Sequence, residues 1–484
     1  MARTNSRPAF ISQCVTLKQA VLHTHRLGRL PLARSALPRD ERRCDSGGLQ
    51  EARAPVVQAS AVLLPNMRRL LLVCFVSSLH AADWPQFRGP TGDGVTTETN
   101  LPLTWSEKEN LVWRTELPGP GSSSPIVSGD RVFLTSYSGY GLDLKAPGDM
   151  TQLTRHALCL DKHSGKILWD YPVKTDLPNT AYAGSYITMH GYASSSAVTD
   201  GKSVFFFMAN AGVFAFTMDG KKVWDVSVGE KPHPWGVGTS PILYGDLLIV
   251  NAALESNQLL ALDRKTGKTV WSAKGFPASW NTPTIVKVEG HDELVVNSSG
   301  KLRAFDPKDG KELWSCESIK AAELCPSVVA HDGVVFVLGG GGKALAVRAG
   351  GQGDVTATHI VWQVQKGSNV GSPVYHDGYL YFVNDTRGTA TCLDAKTGAT
   401  VYEQPLMKQK RDRWYATPLL SGERLYYTSR QSGSVVLAAK PQFEVLATNV
   451  IADDASVTNA SLAVSDGRIF LRSDKFAYCF GAKR

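Results

Sequence analysis

Short apolar runs of four to six residues alternate with Gly- and Asp-rich turns along most of the chain. The runs are rich in Val, Ile, Leu and Phe and alternate only partly, which suits strands covered on both faces. Residues 241–244, 247–252, 258–263 and 269–274 form one set of four. No stretch carries a long helical period. The set recurs, and each copy ends on Leu-Asp-x-x-x-Gly-Lys-x-x-Trp or a close variant. The clearest copies are residues 157–169 (ALCLDKHSGKILW), 259–271 (LLALDRKTGKTVW) and 301–314 (KLRAFDPKDGKELW). Looser ones are 213–224, 390–402 and 343–362, the last with a longer loop in place of the turn. A proline opens the unit at Pro125, Pro241, Pro283, Pro326, Pro373 and Pro418, with Ala197 in its place once. Most spacings are 42–47 residues; the first is 72 and implies an insertion.

Four-stranded units of about 45 residues are propeller blades. One blade cannot bury both faces, so neighbours stack until the ring closes and removes the edges. The predicted fold class is therefore all-β, an eight-bladed β-propeller of four-stranded antiparallel blades. The blades are placed at residues 123–171, 194–229, 238–275, 281–317, 325–366, 371–405 and 416–449. Residues 461–464, 468–473 and 476–480 supply three strands of the eighth. Residues 110–117 (NLVWRTEL) supply the fourth, so the N-terminal strand completes the last blade. Seven blades with leftover segments is the competing count.

Within the repeat, Asp161, Asp263, Asp306 and Asp394 can cap the backbone of the outer turn. Gly165, Gly267, Gly310 and Gly398 can take positive φ at its end. Trp113, Trp169, Trp224, Trp271, Trp314 and Trp362 recur once per blade, as inter-blade packing residues should. Cys159, Cys392 and Cys479 occupy positions where sister segments carry Ala, and read as small core residues.

Charge changes the picture only once it is located. The net charge of +8 comes entirely from residues 1–82, which hold twelve Lys/Arg and four Asp/Glu; the remainder is neutral. The body has no bulk positive field for nucleic acid. Residues 1–66 read as a disordered leader or sequence upstream of the true start. Residues 67–82 read as a signal peptide: Arg68 and Arg69, an apolar run from Leu70 to Leu79, and a cut after Ala81 or Ala82. Residues 83–109 form an N-terminal extension and 110–480 the propeller. No transmembrane span is expected in the mature chain, and CxxC is absent.

The repeated Ala-x-Asp-x-x-x-Gly-Lys-x-x-Trp resembles the tryptophan-docking repeat of pyrroloquinoline-quinone (PQQ) β-propellers, over residues 110–480. Residues 84–90 (WPQFRGP) resemble the opening of secreted PQQ-like propellers of planctomycete-type bacteria. The resemblance implies eight blades and two kinds of member. Quinoprotein dehydrogenases oxidise alcohols or sugars with PQQ and Ca²⁺. The propeller lipoprotein of the outer-membrane barrel-assembly machinery binds proteins without a cofactor. This chain has no adjacent Cys pair and no CxxCH. The expectation is an exported, periplasmic or secreted, non-catalytic binding or scaffold module without a cofactor. Its partner would be a protein or peptide of the cell envelope, and the propeller itself a monomer. The alternative is a PQQ- and calcium-dependent dehydrogenase.

Propellers bind through loops at strand ends. The loops leading into the innermost strands carry His190, Tyr192, His233, Trp235, Trp280, Asn281, Glu323, Asn369, Arg413, Trp414, Tyr415 and Asn459. Tyr192, Trp235, Trp280, Glu323, Arg413 and Trp414 are the candidate ligand contacts. Under the alternative, Asn281 and Glu323 would offer oxygens to Ca²⁺, and Arg413 would meet a carboxylate of PQQ. The competing reading is that the aromatics plug the channel and each Asn bonds its own loop. The insertion at residues 175–190, with Tyr182, Tyr186 and Met189, is either a lid over the channel or a plain surface excursion.

Overall fold

The computed structural model describes residues 83–321, 324–407 and 412–482. The leader and the signal-like segment lie outside the described residues. The strands form eight antiparallel blades. The first comprises Ile126–Ser128, Arg131–Ser138, Thr154–Asp161 and Ile167–Val173. The eighth takes Ala463–Ser465, Arg468–Arg472 and Phe476–Phe480 from the C-terminus and Leu111–Glu116 from the N-terminal side. That last pairing is antiparallel and sets Trp113 opposite Cys479, so the ends of the propeller close the ring as expected.

Blades fold because both faces of each find an apolar neighbour. Val198, Phe205 and Phe207 of blade two pack on Leu248, Val250 and Leu262 of blade three, all nearly inaccessible. Burying such side chains stabilises by about 1.5–3 kcal/mol each. The outer strands are fastened by the repeat. The indole N–H of Trp113, Trp169, Trp224, Trp271 and Trp362 donates to a turn carbonyl of the next blade, at Lys162, Met218, Arg264, Pro307 and Ala395, over 2.9–3.1 Å. The glycine of that turn lies on the ring. A Cβ on Gly165, Gly220, Gly267, Gly310 or Gly398 would meet the indole at 2.4–2.8 Å, and each has φ between 71° and 90°. These glycines therefore serve backbone conformation and close approach together. Across the strand from the Trp position stand Ala215, Ala261, Ala304 and Ala346, or Cys159, Cys392 and Cys479. Burial pushes those three thiols up to about 12.

Three interfaces depart from the pattern. Trp314 is fully buried but donates to Glu293 Oε2 at 2.7 Å within its own blade. The longer loop of blade five covers it and adds Gly353–Asp354 as a parallel strand to the outer edge of blade four. Tyr402 stands at the Trp position of blade six and packs on Phe443. Blade seven has Ala447 there, and Trp105 of the N-terminal extension fills the gap beside Tyr426 and Phe480.

The extension crosses one end of the ring. Trp84 bridges to Val127 of blade one, and Pro85 accepts from Thr199 of blade two. The buried Arg88 donates to Pro373 of blade six, and Val95–Thr96 pairs in parallel with Leu419–Ser421 of blade seven. Among the described residues no helix is long and apolar enough to cross a membrane.

Candidate functional site: the capped channel and its rim

Where the innermost strands begin, each blade presents one hydroxyl to the axis: Ser124, Ser196, Ser240, Thr282, Ser327, Ser372, Thr417 and Ser461. The backbone N–H of one donates to the hydroxyl of the next. Ser124 gives to Ser196, Ser196 to Ser240, Ser240 to Thr282, Thr282 to Ser327 and Ser327 to Ser372, over 2.8–3.0 Å. Thr417 gives to Ser461, and Ser461 closes the belt on Ser124, both at 2.9 Å. The step from blade six to seven differs: Thr417 turns its own hydroxyl to Ser461 at 3.0 Å. The belt satisfies buried N–H groups that face a channel instead of a neighbouring strand. It shows that the repeat begins on the hydroxyl and not on the proline. In blade five Val328, not Pro326, follows the hydroxyl.

The channel encloses a cavity of about 160 Å³. Phe87 of the N-terminal extension lies at one end, and Met189, Trp235 and Trp280 at the other. The insertion at residues 175–190 is the roof. Its Thr180 hydroxyl donates to the His233 carbonyl at 2.8 Å, and the Ile187 N–H donates to Pro234 at 3.1 Å. Across the mouth, Arg430 and Asn459 donate to the Met189 carbonyl at 2.9 and 3.1 Å. The insertion thus ties blades two and three to blades seven and eight. His190 is a second fastener: Nε2 meets the Trp235 carbonyl and Nδ1 the Ser194 hydroxyl. Burial lowers its pKa, so the ring is neutral at pH 7, with the proton on Nε2 donated to the carbonyl.

The structure brings Trp235 and Trp280 together on the cavity. Trp235 stacks on Tyr186 at 4.0 Å and 6°, and Trp280 donates to the Gly236 carbonyl at 2.8 Å. The other described candidates do not lie there. Tyr192 is buried in the core of the insertion, edge-on to Tyr137, with its hydroxyl on the Thr180 carbonyl. Trp414 is 2% exposed in the core between blades six and seven, and Tyr415 takes the position on the channel. Arg413 is exposed, its guanidinium on Thr386. Glu323 lies outside the described residues. Asn281 is buried and spent within the fold: its amide nitrogen donates to Ser279 and the Asn297 carbonyl, and its oxygen accepts from the Asn297 N–H. That arrangement does not fit a calcium ligand. Among the described residues no group of three His, Cys, Asp or Glu side chains gathers to hold a metal. Sequence reasoning named Met189 only within a candidate lid, and missed Phe87 at the other end of the cavity and the hydroxyl belt as its wall. The recurring Ser or Thr at the head of each unit was the available signal.

A family profile described as "Outer membrane protein assembly factor BamB" matches residues 95–233, 154–404 and 354–474 in overlapping segments. The fold is similar to crystal structures of BamB from Moraxella catarrhalis, at 14% identity and TM-score 0.54, covering 77% of this chain and 98% of that one. It is also similar to quinohemoprotein alcohol dehydrogenase ADHIIG from Pseudomonas putida HK5, at 10% identity and TM-score 0.52, covering 83% and 81%. A computationally designed protein, Ika8, matches at 12% identity and TM-score 0.53, covering 80% and 100%. A search of curated protein sequences finds no match. These likenesses carry the fold, and the profile, repeated over most of the ring, carries the kinship: the chain belongs to the outer membrane protein assembly factor BamB family.

Proposed function

We propose that the chain is a non-catalytic scaffold of the cell envelope that grips a protein partner with the capped face of its ring. One observation carries the reading: the stacked pair of Tyr186 and Trp235, held over the channel by the insertion, with Tyr186 54% exposed. Leu142 and Leu144 of the adjoining loop are 57% and 59% exposed. Neighbouring Gly141 packs on Tyr182 of the insertion. Exposed aromatic and aliphatic side chains on a fastened loop are what a protein contact needs, because they lose little conformational freedom on binding. Phe87 and Met189 line the channel behind them, and the asparagine that would have held calcium is used by the fold. Family membership and the signal-like residues 67–82 support an exported location. The test is capture of envelope proteins by the full chain and by a Tyr186→Ala/Trp235→Ala variant. The reading expects a specific partner held by the wild type and lost by the variant. Equal capture by both moves the contact away from this face and sinks the proposal.

A further inference from the structure

Beside the channel, between blades one, two and three, lies a smaller void of about 30 Å³ that opens on the same face. Two ionisable side chains line it. Glu255 is 2% exposed, and neither carboxyl oxygen has a hydrogen-bond partner on another residue. Arg155 is 4% exposed; its Nε donates to the Tyr192 carbonyl and its Nη2 to Asn179, but Nη1 has no partner. The two do not pair with one another among the ion pairs of the described residues. Asn179, Thr180, Lys231 and His233 form the mouth. An unmet buried donor or acceptor costs about 1–3 kcal/mol, more when charged, and bulk water does not reach these atoms. The void has room for about two waters or one small planar polar group.

With Glu255 kept protonated by its burial, the unmet groups are a donor on the guanidinium and one donor and one acceptor on the carboxyl. An ammonium ligand would face Arg155, and a carboxylate ligand would leave the carbonyl oxygen of Glu255 without a donor. A neutral group that accepts on one side and donates on the other suits both. We propose that this void is a receptor for a primary carboxamide, the side chain of an asparagine or glutamine offered by the bound partner. Its carbonyl accepts from Arg155 Nη1 and its NH₂ donates to Glu255. The source of the carboxamide rests on the rim-binding reading above; the chemistry of the void does not.

The test therefore uses no partner. Saturation-transfer difference NMR is recorded on the full chain with acetamide, and separately with acetate and with methylammonium. Acetamide is expected to bind, with Glu255→Leu weakening it at least about fivefold, the equivalent of one net hydrogen bond. Glu255→Gln, which keeps an acceptor, is expected to retain it. Equal acetamide signal in wild type and Glu255→Leu, or preference for either charged probe, overturns the proposal. Should the leucine variant fail to fold, a crystal of the wild type soaked in acetamide decides. Planar density between Arg155 and Glu255 supports the assignment, and two waters alone overturn it. Acetamide binding with no captured envelope protein would sink the rim reading while leaving this one standing.

Discussion

At Gly267 and Gly310 one missing methyl group serves two ends. Each glycine takes positive φ, and each lets an indole lie where a Cβ would intrude at 2.7 or 2.4 Å. Gly245 also has positive φ, but nothing lies within 4 Å of its Cβ position. Gly310→Ala is expected to cost ~2–4 kcal/mol in denaturant unfolding, and Gly245→Ala only ~1 kcal/mol. Equal losses would mean that backbone conformation, not the indole contact, is what selects the glycine. Glu255 gives a second prediction at this scale. Burial lifts its pKa from 4.5 to about 8, while its own backbone N–H and Arg155 pull the other way. The folded state therefore keeps a proton that the unfolded chain gives up. The contribution is fully present below about pH 4.5, declines by up to ~1.4 kcal/mol per pH unit, and is gone above the folded pKa. Urea unfolding of wild type and Glu255→Gln between pH 5 and 8 should show the wild type losing stability faster. Parallel pH profiles would refute it.

The element that decides the site is the start of each innermost strand. There the hydroxyl belt replaces the ladder bonds that the strand has no neighbour to make. Ser240→Ala removes the acceptor for the Ser196 N–H while leaving volume almost unchanged. The expected loss is ~1–3 kcal/mol, the cost of an unmet buried N–H, read as a lower urea midpoint with unchanged slope. No change would mean that water in the channel replaces the hydroxyl. The insertion is the second such element. Its spacing announced it in the sequence, but its role did not follow from composition. Tyr186 and Met189 matter because Thr180, Ile187 and His190 bond to a loop 45 to 53 positions away in sequence. No local pattern encodes that contact.

For the molecule as a whole, the strand Leu111–Glu116 joins the chain ends, and the preceding extension crosses five blades. Removing residues 1–82 is expected to leave the unfolding transition of the propeller unchanged. Removing residues 1–117 should expose the edge of Phe476–Phe480 together with the face that Trp105 and Trp113 cover. Aggregation or loss of a single cooperative transition in calorimetry is the expected outcome. A shorter chain that still unfolds in one sharp transition would show that closure is dispensable.

The sequence by itself determined the ring. A phrase repeated at a near-constant spacing fixes blade number, strand order, the inter-blade role of the Trp residues and the closing strand, because each blade meets only its neighbours and the same local solution recurs. It also marked the rim loops as the place to look. Which side chains reach the axis was decided only by the tertiary structure. Trp235 and Trp280 line the cavity while Trp414 and Tyr192 turn into cores. All four sit in similar loop contexts, and their directions depend on loops from other blades. Glu255 and Arg155 are more than ninety positions apart and unremarkable in composition. Only the stacking of blades one to three sets them around one void, because burial and the lack of partners are properties of the packed ring and not of any segment.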